Sequence, residues 1–205
     1  GREASTARLL FRNDTGAGLV LPLVYPPDVG LAGQAGSMLE VEVPAEGLVV
    51  VKTEAGEGVP VQVGWAELQS PGGVWGTATF TQRLAEGGEA AAVVPLESRQ
   101  PTSFILVFDN TEENTTAVAL VNRSSGPVEA IQVVARDQQG GLLLEDTIAL
   151  PAYGHAAFSI AERFALLGGQ RGTLEFQTPQ GGAIAVLGLQ FDASGTFTSV
   201  PAAVR

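Results

Sequence analysis

The amino-acid sequence predicts an all-β fold: two antiparallel β-sandwich domains in tandem, with one short helix in the second. Three observations carry this expectation. Hydrophobic residues make up 45% of the 205, with Ala, Gly and Val the commonest residues and a single Lys, a balance that favours short strands and turns over long amphipathic helices. Short apolar runs recur between clusters of Gly, Pro, Asn and Asp, the punctuation of strands and turns. One pattern of strand and turn residues also occurs twice.

The repetition is ordered. Pro44-Ala45-Glu46-Gly47 returns as Pro151-Ala152-Tyr153-Gly154, 107 residues on, and each follows an alternating run, 39–43 and 146–150. Gly64, Glu67, Gln69 and Pro71 return as Gly172, Glu175, Gln177 and Pro179 at an offset of 108. Asn13-Asp14-Thr15 matches Asn122-Arg123-Ser124 at 109, and Val94-Pro95 resembles Val200-Pro201. Four markers in one order at nearly one offset imply two homologous domains, residues 1–97 and 98–205, joined at the linker "LESRQPT", 96–102. A domain of about 100 residues can bury a core without staples.

In the second copy the strands fall at 103–109, 116–122, 128–136, 142–150, 155–160, 173–178, 183–191 and 196–200. Turn residues separate them at Asp137–Gly141, Pro179–Gly182 and Asp192–Gly195. This number of strands at this spacing is immunoglobulin-like. Ile160, Phe164 and Leu167 share one helical face, so a helix over Ala161–Leu167 is expected to plug an end of the sandwich. The segments "ALVN", "LPAYG", "GTLEFQT", "AIAVLGLQF" and "FTSVP", with "VPAEG", "VGWAELQS" and "VWGTATF" in the first copy, resemble tandem immunoglobulin-like modules of secreted and surface bacterial proteins. The resemblance covers nearly the whole chain and implies fold and export. Its motifs mark strands and turns, and a fold alone names no activity.

Charge and composition narrow the function. The formal charge of −11 disfavours nucleic acid and anionic membrane as partners. Twelve acidic and five basic residues fall in 1–98, ten and six in 99–205, and neither half holds a basic patch. No apolar run of about 18 residues exists, so no direct membrane insertion is expected. The absence of cysteine removes disulfides, thiolate nucleophiles and cysteine metal sites together. The chain starts at Gly1 rather than Met, compatible with a removed signal peptide.

Catalytic constellations are weak. Histidine-dependent nucleophilic chemistry would need His155, whose aligned partner is Leu48, and a position open to Leu reads as a strand start rather than a base. The acid pairs Glu112-Glu113 and Glu145-Asp146 lie at turns or strand ends, where solvated acids are ordinary. No Asp-x-Asp-x-Asp-Gly calcium loop is present, and the glycine pairs lack the Lys and following helix of a phosphate loop. The expectation is therefore no enzyme, no cofactor and no metal. Asn13, Asn114 and Asn122 stand in glycosylation sequons, though Asn122 has a turn-forming role of its own.

The tryptophans are more informative. Carrying the phase of the second copy, where Leu174 and Phe176 point inward, back to the first turns Trp65, Glu67 and Gln69 outward and Ala66 and Leu68 inward. On the next strand Val74, Gly76, Ala78 and Phe80 read as inward, and Trp75, Thr77 and Thr79 as outward. If Ser70–Val74 closes a hairpin, Gln69 lies opposite Trp75 and Trp65 opposite Thr79. These six outward residues, Trp65, Glu67, Gln69, Trp75, Thr77 and Thr79, then form a partner-binding or glycan-binding face.

The copies also differ in the strand that leads them. The second has "SFILVFD" 19 residues ahead of Asn122, whereas only 12 residues, opening with the polar "GREASTAR", precede Asn13. The first domain is therefore expected to lack an edge strand. The functional expectation is a non-enzymatic extracellular structural or adhesive protein, a filament or surface-appendage subunit completed by strand donation from copies of itself or other surface proteins. A carbohydrate-binding module using the exposed tryptophans is the alternative.

Overall fold

The computed structural model describes residues 1–25, 34–53, 60–84, 87–179 and 181–205. The protein is all-β with antiparallel sheets, and divides into two compact units, Gly1–Trp75 and Gly76–Arg205.

The first unit contains β1 (Ser5–Arg12), β2 (Leu21–Val24), β3 (Gln34–Gly36), β4 (Met38–Val43), β5 (Lys52–Thr53) and β6 (Trp65–Gln69). They form two three-stranded sheets, ordered β4-β1-β6 and β3-β2-β5. Ser5–Arg8, part of the polar lead, opens β1, where Ala7 pairs with Val41 and both are buried. Alternation explains this: Ala7, Leu9 and Phe11 share the inner face, while Thr6 and Arg8 are exposed between them.

The second unit begins with the hairpin β7 (Thr77–Arg83) and β8 (Glu89–Pro95). It continues through β9 (Ser103–Asp109), β10 (Thr115–Asn122), β11 (Val128–Asp137), β12 (Leu142–Leu150), β13 (His155–Ser159), β14 (Arg171–Gln177), β15 (Ile184–Phe191), β16 (Phe197–Val200) and β17 (Ala203–Val204). A five-stranded sheet, β12-β11-β14-β9-β17, and a four-stranded one, β13-β10-β15-β16, contribute to one core. Phe104, Ile131, Leu174 and Phe176 come from the first of these, Val118, Leu120 and Ile184 from the second, each at most 2% exposed. Burying a side chain of this size contributes about 1.5–3 kcal/mol.

The expected helix is present as α1 (Ile160–Arg163) and a 3-10 turn, Ala165–Leu167. Ile160, Phe164 and Leu167 enter the core together, and Phe164 meets Phe158 edge to face at 5.9 Å. The β7–β8 hairpin belongs to this unit by contact: Ala90 and Ala92 close on Phe197, flanked by Leu84, Leu189 and Phe191. The repeat pattern and the packing thus cut the chain at different places.

The two units share local geometry at several points of the repeated pattern. Glu46 and Tyr153 both take positive φ, 56° and 55°. The following Gly47 and Gly154 donate to Pro44 O and Pro151 O at 3.0 and 2.9 Å. A Cβ on Gly64 would stand 2.1 Å from Arg12 O, and one on Gly172 would stand 1.9 Å from Arg136 O. These contacts correct one alignment. Asn13 corresponds to Asp137, not to Asn122: Asn13 Oδ1 accepts the N–H of Thr15 and Ala17 at 3.0 and 3.2 Å, as Asp137 Oδ1 accepts those of Gln139 and Gly141. Arg12 and Arg136 each donate from Nη1 to the glycine carbonyl four residues on. Strand β1 therefore matches β11, and β4 and β6 match β12 and β14.

Candidate interaction surface

Strand β6 carries three of the six expected site residues. Phe11 donates its N–H to Ser37 O at 2.9 Å, on the β4 side of β1. Backbone groups alternate sides along a strand, so Arg8, Leu10 and Arg12 bond toward β6, in register with Gln69, Glu67 and Trp65. Ala66 and Leu68 consequently turn their N–H and C=O groups to the other side. No other described strand pairs with β6 there. In the second unit the same positions are Leu174 and Phe176, and that side is filled by β9, with Leu174 opposite Leu106 and Phe176 opposite Phe104.

This difference explains a departure from the expected burial. Ala66, expected inward, is exposed, and Leu68 is only half-buried, whereas Leu174 and Phe176 are fully buried. Phase alone sets which face a side chain joins. Burial also needs a neighbour on that face, which β9 supplies to β14 and which no described strand supplies to β6.

On the opposite face Trp65, Glu67 and Gln69 stand together as expected, but Trp65 is half-buried. The Arg12 guanidinium lies 5.9 Å from its ring centroid, within cation–π range, and reaches Glu67 Oε2 at 3.5 Å from Nη2. Gln69 Nε2 donates to Glu67 Oε1 at 2.9 Å. The loop that follows is tied back by Ser70, whose hydroxyl donates to Thr6 O at 3.0 Å. Arg12 was outside the expected site; its only sequence signal was its place on the strand that turned out to pair with β6.

The expected hairpin between β6 and β7 is not formed. β6 pairs with β1, and β7 pairs with β8, so Gln69 and Trp75, and Trp65 and Thr79, are not ladder partners. The reason is visible in the second unit, where β14 and β15 belong to different sheets and the Pro179–Gly182 turn is a crossover rather than a hairpin closure. Thr77 instead faces Pro95 and Thr79 faces Val93, both threonines exposed. Trp75, just before β7, is 84% exposed. Phe80, expected inward, is 46% exposed on its two-stranded ladder.

The remaining candidates are placed by local structure. His155 is buried at the start of β13, opposite Val121. Glu112, Glu113, Glu145 and Asp146 are exposed. Asn122 is fully buried: its Nδ2 donates to Gly126 O and Pro151 O at 2.9 and 2.8 Å, and its Oδ1 accepts from Ser124 N. That side chain joins two turns and offers no amide to a glycan in the folded protein. Asn13 is occupied by its own turn.

The second unit carries an open groove of about 430 Å³, lined by Val107, Phe108, Asp109, Asp137, Arg171 and Gln190 among others. Partial desolvation works to raise the Asp109 pKa, but Thr111, donating from both hydroxyl and N–H, and Arg171, 3.3 Å away, hold it below the usual carboxylate value. These groups already satisfy one another. Among the described residues no group of three metal-ligating side chains occurs, and no helix is long and apolar enough to cross a membrane. Compared with protein-family models, curated proteins and solved structures, the chain matches none.

Proposed function

We propose that the chain is a non-enzymatic structural or adhesive protein of the secreted or cell-surface kind, assembled through strand donation between neighbouring molecules. The observation that carries this reading is β6, which among the described residues pairs on one side only. An edge of this kind presents a row of backbone donors and acceptors that natural sheets usually blunt or cover. The face beside it is apolar and thinly covered: Leu9 and Phe11 are half-buried where their counterparts Val133 and Ala135 are 0% exposed. The strand count of the second unit and the tandem repetition fit immunoglobulin-like modules. The charge of −11 favours copies of the chain or other surface proteins over nucleic acid as partners.

Light scattering over a concentration series, followed by electron microscopy of the same samples, tests the reading. A concentration-dependent polymer is expected, and a chain that stays monomeric when concentrated ends the assembly role. The exposure of Trp75 favours a second reading, a glycan-binding surface on the first unit. Glycan-array binding that survives Trp75→Ala and Trp65→Ala removes it.

A further inference from the structure

We infer that the open side of β6 is an acceptor for one extended strand in trans: a segment of a neighbouring polypeptide running antiparallel to β6, with large apolar residues at alternate positions. The source of the segment rests on the strand-donation reading above; its register and chemistry come from the second unit, where the equivalent edge is occupied.

Three correspondences define the acceptor. Gly64, Ala66 and Leu68 take the places of Gly172, Leu174 and Phe176, because the close glycine contact sits on Arg12 in one sheet and Arg136 in the other. In the second unit those three residues lie opposite Phe108, Leu106 and Phe104 of β9. An incoming strand in the same register therefore puts three alternate residues opposite Gly64, Ala66 and Leu68. Backbone alternation makes the residues at those same three positions the hydrogen-bonding ones on both strands.

Side-chain volume adds specificity. Ala66 and Leu68 are smaller than Leu174 and Phe176, so the inner face beside them has room for donor residues at least as large as Leu106 and Phe104. The other face asks for something different. Glu175 accepts from Ser103 Oγ at 3.2 Å, within β9's own sheet. Glu67 holds the matching position on β6, already joined by Arg12 and Gln69. A donor with polar or basic residues at its outward positions suits this face and the acidic chain. Two β6 edges pairing with each other would set the small Ala66 and Leu68 against themselves and leave the face unfilled.

The test uses the full chain and a peptide of residues 101–110, "PTSFILVFDN", extended by two lysines for solubility. Amide exchange at Ala66 and Leu68 is expected to slow on peptide addition, with binding measured by calorimetry. N-methylation at the positions of Phe104 and Leu106 removes the N–H groups that face β6 and should weaken binding by about tenfold or more, because two backbone hydrogen bonds are lost. N-methylation at Ile105 and Val107 should leave affinity unchanged. Ala66→Pro, which deletes an outward N–H without touching the β1 ladder, should abolish the exchange protection. Unprotected Ala66 and Leu68 amides, equal loss with both N-methylated peptides, or dimerisation through β6 that excludes the peptide would overturn the inference. Peptide binding in this register by a chain that never polymerises keeps the acceptor and removes the assembly role. Polymerisation that the peptide neither slows nor enters removes the acceptor and keeps the assembly role.

Discussion

Phe176→Ala and Leu68→Ala alter matching positions on β14 and β6, and the two costs should differ severalfold. Phe176 is fully buried between Val133 and Phe104 on its neighbouring strands, so truncation removes the whole ring and leaves a cavity. Substitutions of this kind cost about 3–5 kcal/mol. Leu68 is half-buried on a strand with one described neighbour, and scaling the roughly 2–5 kcal/mol of a buried Leu→Ala by its cover leaves about 1–2 kcal/mol. Urea unfolding separates them, because both tryptophans lie in the first unit. Fluorescence, chiefly from the half-buried Trp65, follows that unit, while far-ultraviolet circular dichroism follows both. With a urea slope of about 2 kcal/mol/M, Phe176→Ala should move the circular dichroism midpoint by roughly 2 M and leave the fluorescence midpoint in place. Leu68→Ala should move the fluorescence midpoint by roughly 0.5–1 M. Equal costs at the two positions would refute the claim that the first unit's inner face is thinly covered. A fluorescence midpoint that follows Phe176→Ala would show that the two units unfold together.

Two further outcomes follow from side-chain bonding. Asn122→Ala removes two donated bonds and one accepted bond at a fully buried position, leaving Gly126 O, Pro151 O and Ser124 N without that partner. A loss of about 2–4 kcal/mol in chemical unfolding is expected, and a loss under about 1 kcal/mol would show that water or backbone shifts replace the amide. Glu97, held low by the Arg99 hydrogen bonds, Asp109, held low by Thr111 and Arg171 against desolvation, and Asp192, held low by Ser194 and Thr196, all have folded pKa values below the unfolded ones. Their contribution is complete above the unfolded value of about 4 and is lost as pH falls through the folded values, so Tm should be level from pH 7 to 5 and drop below about 4. Replacing Asp109 by Asn should shrink that drop, and an unchanged acid profile would count against its ion pair and hydrogen bonds.

The second unit was largely legible in the sequence because local signals agreed there. The apolar run 103–109, and the run 142–150 set between the turns at Asp137–Gly141 and Pro151–Gly154, give β9 and β12 to the residue, and the face shared by Ile160, Phe164 and Leu167 gives the helical plug. The first unit was less legible because its partnerships are long-range. Three turns share one chemistry: Asn13, Asp137 and Asp192 each accept N–H groups two and four residues ahead. Similar local chemistry underlies the match of Asn13 to Asn122, whose Oδ1 also accepts an N–H two residues ahead, from Ser124, but whose Nδ2 donates to Gly126 O and to the distant Pro151 O. The pairing of β6 depended on a strand more than fifty residues earlier, so neighbouring sequence around Ser70–Val74 could not reveal it. The site was correspondingly split: Trp65, Glu67 and Gln69 share a face, and Arg12 joins them from β1.

Gly64 and Gly172 have a consequence for how such a chain can change over time. No side chain fits where the Arg12 and Arg136 carbonyls press on them, so each pair of strands is keyed at one point that substitution cannot loosen by degrees. Around such a key the surrounding residues can exchange size and polarity, as Leu174 against Ala66 or Thr173 against Trp65, without sliding one strand past the other. Each glycine therefore works as a fixed ruler mark, letting the residues around it vary in chemistry while each sheet keeps its strand alignment.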